Sequence, residues 1–273
     1  MWRGVLAFGI ATLLSACRGA PVEEPVEVPL EPYVGRLVTV EVTAGAMPLR
    51  LIFDTGGGET IIGPRVASAL GCTPAGRGIG YRANGERLEF RFCPDVTLTI
   101  GGVPLAHEEI AVWDVQSVLP ADVPPVDGVL SLKSLGSRPF TLRLADRRLV
   151  LETAASLEAR VPAMTALRTR LATGPDGGEL TVFVHAAAPY PGWFLLDSGN
   201  LDVVRVSRPL AANEMADTWE AELALDGLPA VRTGFRAADI IHDGMLSEAW
   251  LREWILTFDL AHNRVWAAPA GAG

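Results

Sequence analysis

Two short stretches carry an acid out of an apolar run. "LIFDTGGGET", residues 51 to 60, leads three apolar residues into Asp54-Thr55-Gly56, and "WFLLDSGNLD", residues 193 to 202, leads into Asp197-Ser198-Gly199. Each acid is either a turn residue at a strand end or a reagent. Two carboxyls brought within hydrogen-bonding distance cannot both ionise, so they share one proton: one is then a base and the other an acid, enough to activate water without a metal. Glycines directly after an aspartate suit a tight turn in which backbone passes close to the carboxylate. One Asp-Ser/Thr-Gly triplet is weak as a signal, but two copies behind apolar strands carry more weight.

A second repeat sets the register. "DGVLSLKSLGSRPFTLRLADRRLVL", Asp127 to Leu151, aligns without a gap on "DGMLSEAWLREWILTFDLAHNRVWA", Asp243 to Ala267, at a constant offset of 116. The triplets are offset by 143, so the first half holds 27 extra residues between its acid and its Asp-Gly motif. Within that interval lies "GIGYRANGERLEFRF", residues 78 to 92, where Asn84-Gly85 signals a hairpin turn between alternating flanks. A hairpin is therefore expected in the first half with no counterpart in the second.

The rest of the pattern is β-rich. Strands are predicted at Arg36 to Val42, Leu49 to Phe53, Val96 to Ile100, Phe140 to Leu144, Leu149 to Glu152, Leu180 to His185, Phe194 to Leu196, Glu220 to Leu225 and Ile255 to Phe258. Short helices are predicted at Pro64 to Leu70 and Ser247 to Trp254, with Trp250 and Trp254 on one buried helical face.

In these motifs the chain resembles the aspartic peptidases of the pepsin and retropepsin clan, over most of residues 36 to 268. The resemblance implies an all-β, bilobal pepsin-like fold: two pseudo-symmetric β lobes, a cleft between them and one flap hairpin. It implies an N-terminal lobe with flap at 36–152, an inter-lobe connection at 153–176 and a C-terminal lobe at 177–270. Asp54 and Asp197 match the catalytic pair, Thr55 and Ser198 the hydroxyl residues that cross-bond the two loops, and Gly56 and Gly199 the turns. Tyr81 corresponds to the flap tyrosine beside the Asn84-Gly85 turn. The sequence departs from the family at Ser131 and Ser247, which stand at glycine positions, and at Gly57 and Asn200, which follow the triplets. The implied activity is an aspartic endopeptidase acting on peptide or unfolded-protein substrates, as a monomer without metal or cofactor. The alternative is an inactive pepsin-fold lipoprotein that binds peptides or proteins outside the cytoplasm.

Other features bound the setting. Residues 1–17 read as an export signal, with Arg3, an apolar run from Gly4 to Leu14, and Leu14-Ser15-Ala16-Cys17, which resembles the lipobox that makes a cysteine a lipid-anchor site. Segment 18–35, rich in Pro and Glu, reads as a stiff tether. The expected location is outside the cytoplasm, lipid-anchored to a bacterial membrane, facing the periplasm or on the cell surface. Cys72 and Cys93 are then either a disulfide or two buried thiols. A net charge of -9 with no basic block argues against nucleic acid. His107, His185, His242 and His262 show no metal-ligand spacing and read as surface or satisfied structural residues.

Overall fold

The strand Met47–Asp54 shows how the sequence builds the fold: Leu49, Leu51 and Phe53 are buried on one face while Arg50 points to solvent, the period-two alternation of a sheet with one wet side. Its neighbour Val38–Ala44 repeats the pattern with Val40, Val42 and Ala44 inward, and the two are joined antiparallel through a two-residue turn at Gly45. The computed structural model describes residues 24–174 and 178–271, and among these most regular structure is strand. The all-β expectation is correct.

Three sheets result. An eight-stranded sheet is drawn from residues 31 to 131, and a seven-stranded sheet from residues 169 to 245. A six-stranded sheet mixes the two halves, because Phe140–Arg143 lies antiparallel to Trp254–Asp259. That pairing is centred on Thr141 and Thr257, which are themselves partners in the 116-residue repeat, so the local two-fold axis of the repeat passes between them. Their hydroxyls bond at 2.8 Å, and Phe140 stacks on Phe258 with ring centroids 4.6 Å apart. The main apolar core runs through all three sheets.

The predicted hairpin is present. Ala75–Tyr81 pairs with the long strand Arg87–Ile100, closing with Tyr81 opposite Arg87. At its turn Gly85 takes a φ of +82°, a left-handed conformation that glycine adopts without strain, and Asn84 Oδ1 accepts the amide of Glu86 at 3.0 Å. Cys72 and Cys93 are joined in a disulfide at the base of this arm.

Three expectations need correction. The tether does not extend through residue 35: Val26–Pro29 pairs with Arg148–Leu151 and Glu31–Pro32 with Val38–Ala44, because Val28 and Leu30 alternate inward between the glutamates and are buried. The second helix is shorter than Ser247 to Trp254, spanning Glu248–Leu251. Trp250 and Trp254 are both buried with rings 5.6 Å apart, but Trp254 already belongs to the strand that must pair with Phe140–Arg143. The segment 153–176, expected as a plain connection, contains the helix Ala154–Arg160 and the strands Thr165–Ala166 and Thr169–Thr173, which join two different sheets.

Leu30 is a direct probe of the corrected N-terminal boundary. Leu30→Ala should cost about 2–4 kcal/mol in urea unfolding, the usual penalty for deleting a buried leucine. A cost under about 0.5 kcal/mol would return this segment to the tether.

Candidate functional site

Asp54 and Asp197 are each delivered by a strand held parallel to an Asp-Gly strand. Leu51 lies opposite Gly128 and Phe194 opposite Gly244, the same register in both halves. Asp127 and Asp243 fix that register: Asp127 Oδ2 accepts the amide of Arg50 and Asp243 Oδ2 that of Trp193, each at 2.8 Å. Sequence reasoning found these two aspartates as repeat markers but not as strand locks.

Beyond the strands the two loops cross. The Thr55 amide donates to Ser198 Oγ at 3.0 Å, and the Ser198 amide donates to Thr55 Oγ1 at 2.9 Å. Each hydroxyl then donates to a carbonyl of the opposite half, Thr55 to Leu196 at 2.9 Å and Ser198 to Phe53 at 3.3 Å. Both residues are buried, so loss of either hydroxyl leaves an amide unpaired away from water, at about 1–3 kcal/mol.

This crossing brings the carboxyls face to face. Asp54 Oδ1 accepts the amide of Gly56 at 2.9 Å, and Asp197 Oδ1 accepts those of Gly199 at 2.8 Å and Asn200 at 3.1 Å. A Cβ on Gly56 would sit 2.4 Å from Asp197 Cγ, and one on Gly199 would sit 3.0 Å from both carboxyl oxygens of Asp54. Real side chains do not tolerate the first contact, so Gly56 is required by Asp197; the second is tight, and a side chain at 199 would have to push Asp54 aside.

The electrostatics follow from burial. Loss of water pushes the Asp197 carboxyl up to about 8, with the negative charge of Asp54 adding to the effect and the amides of Gly199 and Asn200 opposing it. Burial also raises Asp54, against the amides of Gly56, Gly57 and Gly199. The two acids are coupled, and with both carboxyls raised the pair holds back a proton near neutral pH.

The unusual residues have local explanations. Ser131 and Ser247 cap the turns that follow them, Ser131 Oγ accepting from Lys133 N and Ser247 Oγ from Trp250 N, each at 3.3 Å. Asn200 turns its amide group away from the acids, donating to the carbonyls of Val203 and Leu246. Gly57 faces Asp54, and a Cβ there would meet its carboxyl oxygen at 3.5 Å, an ordinary contact. Tyr81 ends the first strand of the hairpin and is 60% exposed. Asn84 and Gly85 form the hairpin turn. Cys17 lies outside the described residues.

One cluster was missed. In the first half Thr60 Oγ1 bonds Ser131 and Ser134, and Ser134 Oγ bonds His107 Nε2 at 2.6 Å. Burial holds His107 below the ordinary histidine range. By strand register the equivalent positions of Thr60 and Ser134 in the second half are Val204 and Trp250, and this polar-for-apolar exchange was the available signal. Among the described residues no cluster of three or more His, Cys, Asp or Glu could hold a metal ion.

Comparison with known proteins changes the reading of this site. No family model matches the chain, and no curated protein matches it. Among solved structures it is similar to basic 7S globulin from soybean, with a TM-score of 0.55, and to conglutin gamma, a basic 7S globulin from lupine seeds, with a TM-score of 0.60. Each alignment is 12% identical and covers 90% of this chain and 95% of the globulin. At that identity the likeness carries the fold alone. The expected membership in the pepsin and retropepsin clan is overturned, because these two structures are named as globulins and no family model fits. The expected aspartic endopeptidase activity falls with it, as does the inactive peptide-binding lipoprotein offered as its alternative.

The shared proton makes a prediction about stability. The folded chain binds this proton at pH values where a free aspartate has lost it, so the pair's contribution is fully present below about pH 4 and is lost as pH rises toward 8, by at most about 1.4 kcal/mol per pH unit. Asp197→Asn should flatten the urea-midpoint profile between pH 4.5 and 7.5 relative to the unmodified chain. Parallel profiles would show that the carboxyls titrate independently.

Proposed function

We propose that this chain is a ligand-binding protein in which the Asp54/Asp197 pair, sharing one proton, takes up a hydroxyl group of a small polar molecule. The observation that carries the reading is the crossing of the two loops, which sets Asp54 and Asp197 each against the glycine of the opposite half. A hydroxyl both donates and accepts, and so does a half-protonated pair. A cation would favour two ionised carboxylates, which burial opposes, and an anion would meet the charge that remains.

The finer description of the fold belongs to this proposal. In it, two pseudo-symmetric β lobes in the pepsin arrangement, at 36–152 and 177–270, face each other across a cleft, and the hairpin Ala75–Tyr81/Arg87–Ile100 is a flap. The 116-residue repeat, the matched registers of the two acid-bearing strands and the crossed loops support it. One chain supplies both halves of the pair, which favours a monomer. Export with a lipid anchor at Cys17 is part of the same reading, supported by the N-terminal pattern and by the Cys72–Cys93 disulfide, a bond that persists in oxidising compartments.

Ligand-observed saturation-transfer NMR with a panel of polyols, sugars and amino alcohols tests the binding. Transfer is expected at pH 6, weakening about tenfold for each pH unit above 8 as the last proton leaves, and absent in Asp197→Ala. No transfer from any hydroxyl compound, or equal transfer in Asp197→Ala, would overturn the reading.

A further inference from the structure

A surface cavity of about 410 Å³ opens between the base of the hairpin and the start of the first helix, Pro64–Ala69, within the roughly 300–1,000 Å³ range of small-molecule sites. Neither Asp54 nor Asp197 lines it; its apolar walls are Pro64, Pro74, Phe90 and Val112. Strand alternation explains the position. On Arg87–Ile100, the residues Glu89, Arg91 and Cys93 fall on one face, and Val112 lies opposite Arg91 as the fully buried Ile110 lies opposite Cys93. The cavity is therefore the mouth of the first half's core, where the inward face of the strand changes from apolar to charged residues.

The backbone keeps this space from being filled. The wall from Pro74 to Arg77 contains the register slip between Ala75 and Gly78, a bulge that bends the strand, and Gly76, with a φ of +68°, borders the cavity without a side chain. Cys72, two residues before Pro74, is joined to the buried Cys93, two residues after Arg91, so the two walls are tied covalently at their inner end. The charge at the rim is unbalanced. Glu89 is already taken: Arg77 Nη2 donates to its Oε1 at 2.8 Å, and Arg87 Nη1 donates to the same oxygen. These two arginines hold the Glu89 carboxyl below the usual carboxylate range. The Arg91 side chain has no ion pair or hydrogen bond among the described residues, in a chain whose net charge is -9.

From this we infer that the cavity is a binding site for a small monocarboxylic acid with an apolar body. The body fills the space between Pro64, Pro74, Phe90 and Val112, and the Arg91 guanidinium holds the carboxylate. The planar guanidinium matches a carboxylate through two parallel hydrogen bonds. A cation would be repelled by Arg91, a neutral apolar molecule would leave it unpaired, and a phosphate dianion would find one uncommitted guanidinium for its two charges. The site is separate from the Asp54/Asp197 pair and does not depend on what that pair binds.

Calorimetric titration of the full chain with hydrocinnamate and with its neutral amide tests the site. The acid should bind about tenfold more tightly than the amide, the usual worth of a hydrogen bond to a charged group. Arg91→Gln, a change at an exposed position, should keep the thermal transition of a folded protein and bind the two compounds alike. Arg232→Gln, which removes an exposed positive charge from the second half, should retain the preference for the acid. No binding of the acid, equal affinity for acid and amide in the unmodified chain, or an undiminished preference in Arg91→Gln would overturn the proposal. Loss of the preference in Arg232→Gln would overturn it as well, by showing that overall charge and not Arg91 selects the acid.

Discussion

Two carboxyls, Asp197 buried and Asp54 half-buried, are held against each other, and much of the structure can be read as the means of keeping them there. Water would separate and ionise them, so the fold must exclude it and also supply enough hydrogen bonds to make burial tolerable. The crossed bonds of Thr55 and Ser198 do the first by clamping the loops together, and the loop amides do the second. Glycine at 56 and 199 follows directly, since each is in contact with the acid it faces. Further out, Asp127 and Asp243 lock the strands that aim the loops, and the six-stranded sheet binds the halves through Thr141 and Thr257. Arg36 adds an ion pair from the first half to the buried Glu248 of the second, at 2.9 Å.

The two-fold relation is strict where the pair is built and abandoned elsewhere. Strand registers, aspartate locks and serine caps are matched in both halves. The first half alone carries the buried Thr60–Ser134–His107 network and the long hairpin, while the second has apolar side chains at the equivalent core positions. Symmetry gives two acids in equivalent settings, and burial then separates them: Asp197 is buried, whereas Asp54 is half-buried. A single arm of the first half reaches the second, where the Ala83 carbonyl accepts the amide of Ile241.

Much of this was legible in the residues. The paired Asp-Thr/Ser-Gly triplets, the 116-residue repeat and the 27-residue excess located the carboxyl pair and the hairpin before any coordinates, because each follows from spacing that a symmetric fold cannot hide. The segment around Val28 and Leu30 was hidden by its prolines and glutamates: the composition resembles a solvated linker, and only the alternation of two apolar residues marks it as a strand. Ser131 and Ser247 looked like departures from a glycine rule, yet capping is a local need that a family pattern does not encode. Trp254 was assigned to a helix because the spacing from Trp250 fits one turn, whereas tertiary pairing with Phe140–Arg143 claims it for a sheet. The peptidase expectation went too far for a different reason: the motif describes how two acids are positioned, and position alone does not define an activity.

The central claim is that Asp54 and Asp197 share one proton in a site shielded from water. The most direct measurement is a pH titration of the aspartate carboxyl carbons by ¹³C NMR, with Asp54→Asn and Asp197→Asn used for assignment. Two coupled signals should appear, each responding to both steps, with the later step far above the ordinary aspartate range and close to 8. Two independent transitions near pH 4 would mean that the carboxyls are solvated and separate, and the account of the site would fail.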